Sequence, residues 1–220
     1  MTNKEKDEKK EDRTGEETLR LDELATVKTG LVLARKQAKH PSDEIANYRQ
    51  LNLKAINAKG YIDAEYLEEF IANERLRAEY LTQPGDIIVR LTTPYTAVLI
   101  DADFAGLVIP SHFVVIRTKG KKLLPEYLYW LLNTEKIKNK ILENISSVMI
   151  GTVKPASYAN INIDIEVLSI KEQRKIAELN MLAKREIHLL ERLMGQKELY
   201  YKEAIIKVEK EMRSKKHENN

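Results

Sequence analysis

Short apolar runs bounded by turn residues fill much of the first 120 positions, and they predict strands. The opening stretch "TLRLDELATVKTGLVLAR" has a mixed pattern that we interpret as a strand followed by a short helical turn. "HPSDEIANYRQLNLKAINAKGYID" alternates apolar and polar positions on either side of Lys59-Gly60. It predicts two strands joined by a turn there. In "QPGDIIVRL", the Pro84-Gly85 turn signature leads directly into a short buried strand from Ile87 to Val89.

Two further β-branched runs, "TAVLID" and "GLVIPSHFVVIRT", are separated by "ADFAG". This spacing predicts a hairpin or a meander. Nearer the end of the domain, "GTVKPASYANINIDIEVL" returns to a pattern of strand and loop. The strand-rich part of the chain therefore continues to about residue 168.

Two segments inside this part have helical periodicity. "AEYLEEFIANERLRAEYL" places Leu67, Phe70, Ile71 and Leu76 on one side of a predicted helix. "LLPEYLYWLLNTEKIKNKILENI" predicts an amphipathic helix with Pro125 in its first turn, where the missing N–H costs nothing. Strands and helices together predict an α+β globule with a twisted β-sheet.

From Lys171 to Lys216 the pattern changes to one long helix without proline. Apolar positions recur at alternating steps of roughly three and four residues, which is typical of a coiled-coil seam. Such a seam needs a partner helix, and we predict a homodimer. The residues predicted to make the dimer contacts are Ile176, Leu179, Ile187, Leu190, Met194, Tyr201, Ile205 and Val208.

These patterns divide the chain into four parts. Residues 1–17 are charged throughout and predict a disordered leader rather than a signal peptide. Residues 18–168 form the predicted globular domain, residues 169–216 the long helix and residues 217–220 a tail. The sequence contains no cysteine and no apolar run of membrane-spanning length. We therefore expect a cytoplasmic protein that does not enter a membrane.

Composition leaves the function open, so candidate chemistry has to come from motifs. The net charge of +3 is compatible with nucleic acid but decides nothing. Thr92-Thr93-Pro94-Tyr95 is one residue from the Pro-Pro-Tyr core that amino-methyltransferases place against a flipped base. Here the first position lacks the usual Asn, Asp or Ser, the second proline is missing, and no glycine-rich cofactor loop is present. The segment is better interpreted as a turn between strands.

Other catalytic arrangements are also missing from the sequence. Triplets of the nuclease type, with an acid and a lysine, occur only in the charged leader, and the four histidines do not cluster. His112 follows Pro110-Ser111, and we leave it open between a structural turn histidine and a contact to a base or phosphate. The sequence therefore predicts no catalytic residue, no metal site and no bound cofactor.

Binding to double-stranded DNA is the better prediction. "ARKQAKH" and "YRQLNLK" concentrate guanidinium, ammonium and amide groups among few acids. Such groups neutralise phosphates and read base edges, although each residue singly could belong to an ordinary solvated surface. The predicted DNA contacts are Arg35, Lys36, Gln37, Lys39, Arg49, Gln50, Asn52, Lys54, Thr92, Tyr95 and His112.

The order of several segments resembles the specificity subunits of type I restriction–modification systems. "LDELATVKTG" resembles the opening of their target-recognition domain, and Gly85-Asp86-Ile87 resembles the family's entry into a strand. "LLPEYLYWLLNTEKIKNKI" resembles a family helix. "IDIEVLSIKEQRKIAEL" resembles the junction with the long conserved helix, through Leu168, Gln173 and Ile176. The junction departs from the family in lacking prolines before the glutamine.

The resemblance implies a non-catalytic subunit that reads DNA and directs methyltransferase and restriction subunits to its site. Those partners would bind S-adenosylmethionine, ATP and Mg²⁺. Family members commonly carry two recognition domains and two paired helices, whereas this sequence shows one of each and no internal repeat. It therefore resembles a half-length form, which as a homodimer would read a palindromic site in two parts. The alternatives are a silent or regulatory half-subunit that acts by pairing with other subunits, and a diverged DNA methyltransferase fragment.

Overall fold

The computed structural model describes residues 19–120, 122–143, 153–163 and 168–218. Contacts divide the chain after Arg174 into two units. The first is a globule of strands and short helices, and the second is the continuation of one long helix. The predicted α+β class with a long C-terminal helix is confirmed. The predicted leader, residues 1–17, and the last two residues of the predicted tail lie outside the described residues.

Within these ranges the strands are β1 (Leu19–Arg20), β2 (Ala25–Thr29), β3 (Ala46–Gln50), β4 (Glu68–Ala72), β5 (Ile87–Arg90), β6 (Ala97–Leu99), β7 (Phe113–Thr118) and β8 (Asn162–Ile163). The α-helices are α1 (Leu21–Leu24), α2 (Pro125–Leu132), α3 (Glu135–Glu143), α4 (Pro155–Ala159) and α5 (Ile170–Glu218). Short 3-10 helices cover Leu33–Arg35, Pro41–Asp43, Ala64–Tyr66, Ala78–Tyr80 and Ala102–Phe104.

The centre of the globule is a four-stranded antiparallel sheet in the order β2-β7-β5-β6. Ile88 of β5 lies opposite Val98 on one side and Val115 on the other. These three side chains belong to one buried cluster with Leu51 and Phe113, so this face of the sheet is covered. On the opposite face, Ile87, Val89, Val114 and Ile116 are also buried. Burying each side chain of this size stabilises the fold by about 1.5–3 kcal/mol. Because such side chains are buried on both faces of the sheet, the sheet forms the main core.

Two smaller antiparallel pairs, β3-β4 and β1-β8, complete the strand pairing. In the first pair, Tyr48 lies opposite Phe70, and the Tyr48 hydroxyl accepts a hydrogen bond from the Leu76 amide. Phe70 and Ala72 pack into a second apolar cluster. The small β3-β4 sheet is therefore a folded part of the globule rather than a free hairpin.

The helix predicted over residues 64–81 is wrong. Most of the segment is instead a 3-10 turn followed by β4, which pairs with β3 in register Arg49↔Glu69 and Gln50↔Glu68. The acidic residues have good helix propensity, but pairing with β3 and burial of Phe70 outweigh this weak local preference. Conversely, the strand predicted after the Lys59-Gly60 turn is reduced to an isolated bridge.

The amphipathic helix predicted from Leu123 is divided in two by Asn133. The Asn133 amide donates to the carbonyls of Ala97 and Tyr129, and its oxygen accepts from the Ala97 amide. This side chain fastens the end of α2 to strand β6 and satisfies backbone groups on both. Pro125 occupies the first turn of α2, as predicted.

The run "GLVIPSHFVVIRT" is also divided, because Pro110 lacks the N–H that a strand interior needs. The hairpin or meander predicted for "TAVLID" and "GLVIPSHFVVIRT" is wrong, because β7 pairs with β5 and not with β6, whereas β6 forms its hairpin with β5. The predicted turns at Pro84-Gly85 and at Pro94 are confirmed, with Gly85 at φ 88°. In "GTVKPASYANINIDIEVL", α4 takes the place of part of the predicted strand and loop, and residues 151–152 and 164–167 lie outside the described residues.

Candidate nucleic-acid interface and helical face

The segment Ala34–His40, here called the basic loop, lies along the outer edge of β4. The Ala38 amide donates to the Ile71 carbonyl, and the Asn73 amide donates to the Lys36 carbonyl, both at 2.9 Å. β4 thus lies between the basic loop and β3. Because both neighbours are hydrogen-bonded to the same strand, the two basic segments predicted from sequence are placed on one small sheet.

The side chains of the basic loop differ in their exposure and in whether they form an ion pair. Arg35, Gln37 and Lys39 are exposed. The Lys36 ammonium forms an ion pair of 2.8 Å with the Glu74 carboxylate. An exposed pair of this kind contributes little to stability and is readily exchanged for another anion. With the exposed His40, the loop therefore offers four exposed polar side chains and one ammonium that already has an anionic partner.

Most of the predicted DNA contacts on and after β3 already form hydrogen bonds within the protein. Arg49 is exposed, but its guanidinium donates to the Ala64 carbonyl at 2.7 Å. Gln50 is only 9% exposed and donates to the Glu68 carboxylate at 3.1 Å. The Asn52 side-chain oxygen accepts from the amides of Lys54 and Ala55, which fixes the turn after the strand. Their sequence pattern has a local structural explanation. The exposed Lys54 side chain, by contrast, makes no hydrogen bond or ion pair with the residues that the structure describes.

The remaining predicted contacts lie at one end of the central sheet. The turn from Thr92 to Tyr95 joins β5 to β6, and Tyr95 adopts a left-handed backbone with φ 56°. The Leu91 amide donates to the His112 carbonyl at 3.1 Å, so this turn lies beside the start of β7. Thr92, Tyr95 and His112 are all half-buried. The structure therefore separates the predicted contacts into two groups, one on the small sheet and one at this end of the central sheet.

His112 is held in an environment that favours its neutral form. Its ring lies 4.4 Å from the Phe113 ring, centroid to centroid. Burial lowers the pKa of His112, and the nearby positive charge of Arg90 lowers it further. Arg90 was not among the predicted residues, although its place at the end of β5, just before the turn, was a usable signal. Its guanidinium donates to the Ile56 carbonyl at 3.2 Å.

The long helix exposes the predicted seam. Seven of its eight predicted contact residues are between 49% and 70% exposed, and Ile176 near the start is half-buried. A second row of exposed apolar residues lies roughly a quarter of a turn around the helix, at about 100° per residue. Its members are Leu182, Leu189, Leu193 and Tyr200. The spacing of this second row is visible in the sequence, but the prediction of a narrow seam overlooked it.

The two rows make an apolar face wider than a two-stranded coiled coil covers. Leu182, Leu189 and Leu193 line a shallow groove with Leu190 of the seam, so the rows are continuous. Large contiguous apolar surfaces on a protein commonly mark interaction sites. Within the described ranges no helix is long and apolar enough to cross a membrane, and no group of three or more acidic, histidine or cysteine side chains is placed to hold a metal ion.

No protein-family model matches this sequence, and no curated protein matches it either. Two solved structures are similar to this chain in fold. One is the HsdS subunit from Thermoanaerobacter tengcongensis, with 18% identity and a TM-score of 0.57. The other comes from a study of complex assembly and conformational transition of the type I R-M system, with 20% identity and a TM-score of 0.59.

Each match covers 82% of this chain but 45% of the other, so this chain spans less than half the length of either structure. At such low identity the likeness concerns the fold. Over most of its length, the chain has the fold found in the HsdS subunit of a type I restriction–modification system.

Proposed function

We propose that this chain is a non-catalytic specificity subunit of a type I restriction–modification complex. It would read a DNA sequence and direct partner methyltransferase and restriction subunits to it. The observation that carries the proposal is the fold likeness, which extends over 82% of the chain and includes an HsdS subunit. The sequence motifs at Gly85-Asp86-Ile87 and around Gln173 support it independently, because they are properties of the sequence and do not depend on the fold likeness.

DNA would be contacted first through the basic loop. Arg35 and Lys39 are exposed, and Lys36 can exchange Glu74 for a phosphate. Phosphate contacts hold a protein in register on the duplex, whereas base edges supply the sequence information. Gln37 and Arg35 have side chains that can make bidentate contacts to bases. The turn at Thr92 to Tyr95 and the neighbouring His112 form a second candidate contact region.

The exposed seam of α5 would pair with the seam of a second copy. An isologous pair relates its two recognition domains by a two-fold axis, so they would read the same half-site on opposite strands. The DNA site would then be palindromic and in two parts, with a spacer set by the length of the paired helices. The homodimer is supported by the exposure of Leu179, Ile187, Leu190 and Met194.

The second apolar row, from Leu182 to Tyr200, would remain uncovered in a simple pair of helices. We assign it to the methyltransferase subunits, since partner helices packed there would complete a bundle. S-adenosylmethionine, ATP and Mg²⁺ would all be bound by partner subunits. This chain would supply the choice of sequence and the scaffold.

The proposal is tested by selection from a pool of random DNA duplexes. The chain is purified with the methyltransferase subunit of its own system, and the retained DNA is sequenced. We expect enrichment of a palindromic motif in two parts. If a folded, associated complex enriches no sequence, the proposal is contradicted. That result would favour the silent or regulatory half-subunit, which pairs with other subunits without reading DNA.

Substitution in the basic loop tests the contact surface. Lys39→Ala should weaken DNA binding and reduce the slope of log affinity against log salt by about 1, because one phosphate contact is lost. Lys154→Ala is the matched control, since it also removes one exposed lysine charge but lies before α4. Arg35→Ala should weaken binding and relax the enriched motif. Equal behaviour of the Lys39 and Lys154 variants would remove the basic loop from the interface.

A further inference from the structure

The Glu68 carboxylate, at the start of β4, is held by two of the amide side chains that the sequence predicts as DNA contacts. Gln50 Nε2 donates to Glu68 Oε2 at 3.1 Å, and Asn52 Nδ2 donates to Glu68 Oε1 at 2.8 Å. Gln50 and Glu68 lie directly opposite each other in the pairing of β3 with β4. Each carboxylate oxygen is therefore bound by one amide, and the two bonds together fix the position of the group.

The direction in which each amide faces is also determined. The Asn52 oxygen accepts from the backbone amides of Lys54 and Ala55, at 2.9 and 2.8 Å, so the Asn52 nitrogen is left to face Glu68. Gln50 is only 9% exposed. Because a carboxylate only accepts hydrogen bonds, the nitrogen of the Gln50 amide and not its oxygen faces Glu68. Both amides thus act as donors to the carboxylate.

The carboxylate itself remains open to a ligand. Glu68 is exposed, whereas Gln50 beside it is buried. A carboxylate has about four acceptor sites, of which the two amides occupy two. Hydrogen bonds to an exposed charge add little to stability. What the two amides supply is a fixed position on a strand, which is what a recognition group needs from its supporting residues.

Two exposed cations lie on the same segments as the two amides. Arg49 directly precedes Gln50 in β3, and Lys54 follows Asn52 by two residues. Cations of this kind hold phosphates, whereas an acceptor beside them can face a base edge. A carboxylate brought close to phosphates weakens binding unless it finds a donor, so it contributes selectivity rather than affinity.

Among the base edges of the major groove, cytosine matches a carboxylate best. Cytosine presents its N4 amino group, which is a donor, whereas guanine and thymine present acceptor oxygens. Adenine presents the N6 amino group beside the N7 acceptor. Because a carboxylate only accepts, the N7 lone pair would repel it. The group that fits the open acceptor sites of Glu68 is therefore the N4 amino group of cytosine.

We propose that Glu68 reads a cytosine of the recognised sequence by accepting a hydrogen bond from its N4 amino group. Gln50 and Asn52 are the positioning residues that hold the carboxylate for this contact. The inference rests on the proposed function, since it requires a chain that reads DNA. It also changes the roles expected from the sequence, because the two amides support the reading group instead of reading bases themselves.

Selection from random duplexes, carried out with the complex, compares Glu68→Gln with the matched control Glu69→Gln. Both substitutions remove one negative charge from an exposed position of β4, but consecutive strand residues point to opposite faces. Both should raise the affinity for non-specific DNA by a similar factor. Only Glu68→Gln should change the enriched motif, at one cytosine, where a glutamine amide favours adenine. The preference for cytosine there should fall by about 10- to 100-fold.

Gln50→Met tests the support of the carboxylate. It fills a similar volume and leaves Glu68 in place, but it removes one of the two bonds to the carboxylate. We expect a weaker preference for the same cytosine, by a smaller factor than in Glu68→Gln, with the rest of the motif unchanged. A residue that served stability alone would lower the melting temperature without an effect confined to one position of the motif.

A second measurement alters the DNA and uses the wild-type complex, so it does not depend on whether a variant folds. Each cytosine of the enriched motif is replaced in turn by N4-methylcytosine, in which a methyl group takes the place of the hydrogen that faces the major groove. Binding should fall about tenfold or more at one of these cytosines. The same replacement at a cytosine outside the motif is the control and should leave binding unchanged.

Several results would overturn the proposal. They are an unchanged motif in Glu68→Gln, an equal change of motif in Glu69→Gln, a change at a base other than cytosine, and wild-type binding that is insensitive to every N4-methylcytosine. An unchanged cytosine preference in Gln50→Met would remove the positioning role of that residue. A wild-type complex that enriches no motif would count against the proposed function instead.

Discussion

Replacing Leu190 by aspartate should separate the proposed dimer while leaving the single chain folded. Leu190 is at the middle of the seam and is 54% exposed in one chain. About half of its side chain is therefore available for burial against a partner. The substitution removes that burial in both copies and places a carboxylate in each half of the interface.

The expected loss follows from the exposed fraction. Full burial of a leucine contributes about 1.5–3 kcal/mol, so half contributes about 1 kcal/mol per copy and about 2 kcal/mol in a symmetric pair. Partial desolvation of two like charges adds roughly another 2 kcal/mol. A total of about 4 kcal/mol weakens the dimer roughly a thousandfold. The single chain should lose only about 0.5 kcal/mol, from the lower helix propensity of aspartate.

Sedimentation velocity over a range of concentrations measures the effect. Leu199→Asp is the matched control. Leu199 is 58% exposed and lies on the opposite side of α5, about two and a half turns further along. The control should remain as dimeric as the wild type. If Leu190→Asp stays dimeric at wild-type concentrations, or if both variants dissociate equally, the seam is not the dimer interface.

Three further predictions concern the globule. Asp86→Ala should cost about 3 kcal/mol in the free energy of unfolding, because the buried carboxylate accepts two bonds from the Arg117 guanidinium, at 2.7 and 2.9 Å; a loss below about 1 kcal/mol in urea titration would contradict this. Gly30→Ala should cost about 1–3 kcal/mol or more, since a Cβ there would overlap the Pro110 carbonyl; a melting temperature equal to wild type would show that the backbone gives way freely. Because the folded state lowers the pKa of His112, the stability present above the unfolded pKa of about 6.5 should be lost as pH falls from there through the folded pKa. His112→Asn should flatten this part of the pH profile, and an identical profile would refute it.

The sequence predicted the turns and helix starts that are marked by proline or glycine. Pro84-Gly85 and Pro94 predicted turns, and Pro125 predicted a helix start, because these residues restrict the backbone in any context. The long helix was also predictable, because apolar positions that recur at steps of three and four over so many residues fit no other regular secondary structure. The family motif at Asp86 has a physical reason that sequence alone does not reveal, which is its ion pair with Arg117 in β7.

Elements whose identity depends on distant partners were not predictable in this way. Residues 68–72 have a helical pattern, but β3 offers strand pairing and a buried place for Phe70. Asn133 divides a helix because it reaches the backbone of Ala97. The same limit applies to the candidate interface. Gln50 resembles a base-reading residue in sequence, yet its burial and its bond to Glu68 arise from that unforeseen strand pairing.

The central claim, that this chain chooses the DNA sequence for a type I methyltransferase, is tested most directly by a methylome. The chain is co-expressed with the methyltransferase subunit of its own system in a host that lacks DNA methylation. The genome is then sequenced by a method that detects N6-methyladenine. The account predicts methylation at one palindromic motif in two parts with a fixed spacer. Absence of methylation, with both proteins soluble and associated, would contradict it.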